Sequence, residues 1–298
     1  MTDTTTPTTE TAQTDADASV ADRATTDGGT TTTDGGTTTT DGGTTTGVGT
    51  DPNVHKTPAG EATGVDTDRI LQTEGLTKRF GGLTAIDNVD FGVDEGELRC
   101  LIGPNGAGKS TLMKLITGRH DATEGRIYYD GEDVTELSPH ERVRKGIGIK
   151  FQAPSVFDSL SAAENVRLPL QRVEDGDLTE MIETMLDRAG LAEYRDTRAS
   201  DLSHGQQQRL EIAMTTALSP SLLLLDEPVA GLSMKERTQI AELVRELNDD
   251  GITLIVIEHD IDFVDRISDR VTVLDQGTIF REGTIEEIRA DEDVREIY

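Results

Sequence analysis

The 298-residue chain has no tryptophan, a single cysteine and only 3% aromatic residues, and its 57 Asp and Glu outnumber its 28 Lys and Arg two to one. The lone Cys100 excludes an internal disulfide. Within ELRCLIG it reads as a packed residue of a buried strand rather than a reactive thiol. No apolar run approaches the ~20 residues of a membrane-spanning helix. The opening MTDTTTPTTE lacks the basic and apolar regions of a signal peptide, so a cytoplasmic protein is expected. The formal charge of −29 repels phosphate backbones and argues against a nucleic-acid partner. Residues 1–64 hold ten acidic and two basic side chains, which leaves −21 on the remainder. The acidity therefore belongs to the folded part as well. Such a surface suits very high salt, where charges are screened over a few ångströms, and a halophilic source is expected.

What is present divides the chain in two. Residues 1–65 are dominated by Thr, Asp and Gly, with a seven-residue repeat starting at Asp27, Asp34 and Asp41. The repeat carries no apolar residue to bury, so the segment is expected to be a disordered tail. From 66 to 298, with 34% hydrophobic content over the whole chain, there is enough apolar material for a large core. Short strands with turns at Gly81-Gly82 and Glu95-Gly96 come first. A helix follows from KSTLMKLITG, then a mainly helical stretch with an apolar stripe at Met181, Ile182, Met185, Leu186 and Ala189. SLLLLDEP, a helix over 234–248 and ITLIVIEHD then alternate strand, helix, strand. Continuous apolar strands of this kind belong to a parallel sheet covered on both faces, which makes the class α/β. A hairpin from VTVLDQGTIFREG and a short helix after Thr284 close the chain.

Three stretches carry chemistry. The first, Gly103-Pro104-Asn105-Gly106-Ala107-Gly108-Lys109-Ser110-Thr111, fits Gly-x4-Gly-Lys-Ser between a strand and a helix. Glycines let backbone N–H groups approach phosphate oxygens, and the helix N-terminus adds a favourable field. Lys109 would reach the β- and γ-phosphates of a nucleotide, and the Ser110 hydroxyl would ligate Mg2+. In the second, LLLLDEP, two carboxylates emerge from a buried strand: Asp226 to hold the metal, Glu227 to orient or deprotonate the attacking water. Pro228 keeps Glu227 out of helical geometry. Gln152 in KFQAPSVF is an amide able to touch metal or water, or simply a surface glutamine. His259, after the apolar strand TLIVIE, is able to stabilise charge at a γ-phosphate, or is structural. The third stretch, DLSHGQQQRLEIAMTTAL, begins with Ser203 three residues before Gln206. That is the form of a capping box, yet Ser203, Gly205 and a helix N-terminus also describe an anion site. The residues alone leave both readings open.

Taken in order, these motifs resemble the ATP-binding subunit of ABC transporters. The resemblance runs from about residue 69 to 298. It implies a P-loop NTPase core, a mostly parallel sheet flanked by helices, with an N-terminal antiparallel β subdomain and a helical signature subdomain over about 153–215. It also implies that Phe80 stacks on adenine and that LSHGQ is the signature. Two subunits then associate head to tail, as a homodimer or a heterodimer. Ser203, Gly205 and Gln206 of one would address the ATP on the 103–111 loop of the other. His204 replaces the more usual second glycine. Ser233 stands where a loop Asp is usual; with Glu236 it keeps the helix cap, while the missing Asp carboxylate leaves any role of that group between the two sites in doubt.

The same resemblance implies ATP and Mg2+ as cofactors and permease subunits as partners at the cytoplasmic face of the membrane. An extracytoplasmic substrate-binding protein would act indirectly. GIGIKFQAPSVFDSLSAAENV, EPVAGLSMKE and IRADEDVREIY are similar to the branched-chain amino acid/urea importer group. Lys150 and PVAGLS lean towards urea or short amides, with branched-chain amino acids the alternative. An iron–sulfur assembly ATPase competes less well. Chromosome-type members separate loop and signature by a very long coiled coil, whereas Lys109 and Ser203 lie 94 residues apart.

Overall fold

In the computed structural model, residues 66, 68–152, 155–171 and 177–297 are described. The tail expected over 1–65 lies outside the described residues. The chain runs through β1 (Arg69–Phe80), β2 (Leu83–Val89) and β3 (Gly92–Asp94) to β4 (Leu98–Ile102) and α1 (Lys109–Ile116). β5 (Glu124–Tyr129), β6 (Glu132–Asp133), α2 (Pro139–Arg144) and β7 (Ile147–Lys150) follow. Three helices come next, α3 (Ala162–Leu170), α4 (Thr179–Arg188) and α5 (His204–Thr216). The chain then alternates β8 (Leu222–Asp226), α6 (Met234–Asp249), β9 (Thr253–Ile257) and α7 (Ile261–Ile267). It ends with β10 (Arg270–Asp275), β11 (Thr278–Gly283), α8 (Ile285–Ala290) and α9 (Glu292–Ile297).

Two sheets result. One is antiparallel, with β2, β1, β5 and β6 in order and β3 also on β1. The other has the order β11-β10-β4-β9-β8-β7, parallel except for the β10–β11 hairpin. This is the α/β P-loop architecture that the motifs imply.

The apolar strands explain the layering. Leu98, Cys100 and Ile102 of β4 join Leu223, Leu225, Leu254 and Val256 in a core with α6 and α7. Their neighbours Leu101, Leu222, Leu224, Ile255 and Ile257 face the other way, against α1 and the antiparallel sheet. Period-two alternation thus feeds two cores from uninterrupted apolar sequence. Cys100 is fully buried, and burial pushes its thiol well above the ordinary range.

A third core joins α3, α4 and α5. In its stripe Ile182 and Leu186 are buried, but Met181 is exposed, because the helix turns only a narrow face inward. α5 is not the simple amphipathic helix that its sequence suggests. Leu210, Ala213 and Ala217 enter the helical core while Ile212 enters the sheet core. Both faces of α5 are covered, and its Gln208, Arg209 and Glu211 are buried too.

In a parallel sheet the carboxyl ends of β4, β7, β8 and β9 emerge along one edge. The 103–111 loop, Gln152, Asp226-Glu227 and His259 all follow those ends.

Candidate active site

The loop after β4 is shaped by glycine. A Cβ at Gly103 would meet the Leu274 carbonyl oxygen at 2.0 Å, and one at Gly108 the Ala85 carbonyl oxygen at 2.7 Å. Gly108 also has φ +109°, which side chains rarely adopt, and it serves as N-cap of α1 without any side-chain cap bond. By contrast α2, α3, α5, α6 and α8 each close their N-termini with a capping box. Without a side-chain cap among the described residues, the start of α1 has the form of an anion-binding helix N-terminus, and a phosphate fits it. Lys109 is nearly buried, and its ammonium donates to the Gly103 and Pro104 carbonyls at 2.6 and 3.0 Å. Desolvation lowers its pKa, while Glu227 and Asp226 act in the opposite direction. A desolvated cation resting on carbonyls is matched to an anionic ligand. Pro104, Asn105, Gly106 and Ala107 complete the loop, and Ser110 and Thr111 begin the helix, the Ser110 side chain facing solvent.

Facing this cradle, Gln152 Nε2 donates to Glu227 Oε2 at 2.6 Å. Glu227 has φ +44°, in the left-handed region, and its N–H donates to the Ile257 carbonyl at 2.9 Å. Pro228 does exclude right-handed helix there, but the backbone turns left-handed rather than extended. Such strain at a non-glycine residue costs about 1–3 kcal/mol and gathers at functional sites. The Asp226 carboxyl is pushed above the usual range, by burial first and by the neighbouring Glu227 charge second. His259 is exposed, with Nδ1 3.9 Å from Glu227 Oε1.

The donors available here are hard oxygens: the Ser110 hydroxyl, the Asp226 carboxylate and the Gln152 amide oxygen, the amide nitrogen being the atom that meets Glu227. No group of three His, Cys, Asp or Glu that could hold a metal exists among the described residues. A site with one carboxylate and a hydroxyl suits Mg2+ arriving with phosphates rather than a cation caged by protein alone.

The signature residues lie elsewhere. Ser203 caps α5, its N–H donating to Gln206 Oε1 at 2.7 Å and its hydroxyl accepting from the Gln206 N–H at 3.3 Å. The Ser203 hydroxyl also donates to Glu236 Oε1 at 3.4 Å. Glu236 Oε2 accepts from the Ser233 N–H at 3.0 Å and hydroxyl at 2.7 Å. One carboxylate thus joins the signature serine to the loop serine. Gly205 is buried beside it, where a Cβ would meet Glu236 Oε1 at 2.5 Å. None of the hydrogen bonds of Ser203 reaches the 103–111 loop of its own chain among the described residues. Phe80 is exposed at the end of β1, edge-on to His120 with ring centroids 5.2 Å apart.

Sequence reasoning missed Glu258. It is buried, and its carboxylate accepts the N–H groups of Val229 at 3.1 Å and His259 at 3.1 Å, bracing the loops after β8 and β9 together. An acid directly before His259 was the available signal. It also missed the buried polar face of α5, where Gln208 Nε2 donates to the Gln152 carbonyl at 3.2 Å.

The ABC transporter family model matches residues 86–230. The chain is 37% identical over 247 residues to the high-affinity branched-chain amino acid transport ATP-binding protein BraF of Pseudomonas aeruginosa, covering 77% of this chain and 97% of that protein. The crystal structure of MJ1267, an ATP-binding cassette in its ADP conformation, superposes with a TM-score of 0.71 at 34% identity, over 77% of this chain and 98% of the other. The dimeric post-hydrolysis structure of the cassette MJ0796, bound to ADP and Pi, gives 0.65 at 31% identity over 72% and 98%.

Proposed function

The chain belongs to the ABC transporter ATP-binding proteins and is an ATPase acting on ATP with Mg2+, and from that premise we propose that it powers a membrane importer through a site shared between two copies of the cassette. The observation that carries this is the meeting of the Lys109 cradle, Asp226, Glu227 and Gln152 along one sheet edge. Lys109 and the α1 N-terminus hold the triphosphate. Ser110, Gln152 and Asp226 would hold Mg2+, which when bound neutralises phosphate charge. Glu227, aimed by its backbone and by Gln152, takes the proton of the attacking water as that oxygen bonds to the γ-phosphorus. The bond to the bridging oxygen breaks, and ADP and phosphate leave. His259 lies beside Glu227, where it is able to stabilise the developing charge. Ser203 and Gly205 cover the ATP of the partner copy, a reading supported by Ser203 making no hydrogen bond to its own loop among the described residues.

No helix among the described residues is long and apolar enough to cross a membrane. We assign membrane attachment to a groove of about 350 Å³ beside β7, α3 and α5, lined by Val143, Phe151, Phe157, Leu168, Met214 and Leu218. Val143, Phe157 and Leu168 are exposed apolar side chains that a permease subunit at the cytoplasmic face would cover.

For the cargo, the match over nearly all of BraF supports branched-chain amino acids. Urea is the second reading, favoured by Lys150 and by Pro228 to Ser233. Nothing in the ATPase site touches cargo, so the permease decides. Uptake of labelled leucine and of labelled urea by host cells carrying Glu227→Gln in place of the native chain separates them: the cargo whose uptake disappears is the substrate. Loss of neither contradicts the importer assignment.

A further inference from the structure

Lys150, the last residue of β7, is wholly buried, and its ammonium lies 3.8 Å from Glu211 Oε2 on α5, itself buried. At that separation the contact is one of charge rather than a hydrogen bond. Glu211 Oε2 has no hydrogen-bond partner among the described residues. The Lys150 ammonium donates instead to the Phe151 carbonyl at 2.6 Å. Burial pushes the Glu211 carboxyl up to about 7, against the Phe151 and Ser155 backbone N–H groups, which lie near enough to favour its charged form. One turn earlier on α5, Gln208 holds the Gln152 carbonyl. From the opposite side the Arg119 guanidinium, just beyond α1, stacks 3.7 Å from the centre of the Phe151 ring.

Two charges taken out of water are costly, and a well-packed apolar pair serves stability equally well or better. Stability alone therefore gives no reason for Lys150 and Glu211. Their location gives another. The segment they grip carries Gln152, whose side chain touches Glu227, and the helix they belong to begins at Ser203.

We infer that Lys150 and Glu211 form a positioning pair that ties the Gln152 segment to α5, so that the contact of Gln152 with Glu227 and the setting of the Ser203 edge change together. This rests on the ATPase reading of the site. Neither residue touches the nucleotide. The pair acts through Gln152, and Glu211 also lines the apolar groove.

The test uses the full-length chain with Mg2+ and ATP. Lys150→Met and the paired replacement Lys150→Met with Glu211→Met are compared with wild type. The readouts are thermal midpoint, kcat, KM for ATP and hydrogen exchange at the Phe151 and Ser155 amides. The paired replacement removes both charges and keeps the volume, so its thermal midpoint should exceed that of Lys150→Met. Its kcat should nevertheless stay about tenfold to a hundredfold below wild type, because the tether is gone. KM for ATP should move less than about twofold, and the two amides should exchange about tenfold faster. Wild-type kcat and exchange in the paired variant would overturn the proposal, since packing would then suffice. If that variant does not fold, Glu211→Gln keeps the shape and one acceptor oxygen, and unchanged kcat and exchange there overturn the proposal equally. A wild-type chain that fails to hydrolyse ATP would instead remove the reading on which the proposal stands.

Discussion

Gln152 and Glu227, 75 residues apart in sequence, meet at 2.6 Å with the amide of one donating to the carboxylate of the other. The contact joins the end of β7 to the end of β8, so the proposed base and the proposed metal-binding amide are set by adjacent strands of one sheet. Glu227 is held from two sides, by this amide and by a left-handed backbone.

Replacing the acid while keeping its shape isolates its chemistry. Glu227→Gln should lower kcat by about 10²–10⁴-fold while ATP affinity stays near wild type. Steady-state hydrolysis together with equilibrium nucleotide binding checks this. Hydrolysis at the wild-type rate would show that another group takes the proton.

The Lys109 ammonium donates to the Gly103 and Pro104 carbonyls, with Glu227 and Asp226 acting on it by charge alone. Lys109→Ala should therefore weaken ATP binding by about 1.5–3 kcal/mol, the range for a hydrogen bond to a charged group. Titration calorimetry reads it directly. Unchanged affinity would mean that the triphosphate does not lie in this loop.

Ser233 and Glu236 make a prediction about stability. Ser233→Ala loses the cap of α6 and should cost about 1 kcal/mol. Ser233→Asp restores a good cap residue but sets a second carboxylate against Glu236, whose own pKa is lowered first by its bond from Ser233. It should therefore be less stable than wild type, and adding Glu236→Gln should recover the loss. Thermal midpoints of the variants decide this, and a Ser233→Asp chain at or above wild-type stability would contradict it.

The acidic surface makes a prediction about salt. The chain carries −29, and molar salt shortens the screening length to about 3 Å. The thermal midpoint should rise from dilute buffer to molar potassium chloride. Equal midpoints would remove the halophilic expectation.

Much of this site was legible because its residues follow apolar strands and glycine turns, where local pattern and chemistry coincide. LLLLDEP announces both a buried strand and its two acids. The 103–111 loop announces both a turn and an anion cradle. The capping boxes at Ser203 and Ser233 were equally readable, since each is satisfied within four residues. What the sequence hid depends on distant packing. Nothing local distinguishes Glu211 or Gln208 from solvated residues on an ordinary helix, because their burial comes from two cores closing on opposite faces of α5. Glu258 was hidden for the same reason: its partner Val229 lies 29 residues away. Ser203 fitted two readings at once, and the structure shows why. It caps its helix with Gln206 and also sets its hydroxyl and Gly205 beside Glu236.

The shared site is tested most directly by mixing two inactive chains. On the proposed reading, Lys109→Ala loses its grip on the triphosphate and Ser203→Ala no longer covers the ATP of its partner. In a mixed pair, one of the two sites combines an intact Lys109 loop with an intact Ser203 edge. Mixing equal amounts should restore ATP hydrolysis well above either variant alone, with a rate that rises faster than linearly with protein concentration. A mixture no more active than its components, together with wild-type activity strictly proportional to concentration down to extreme dilution, would contradict the account.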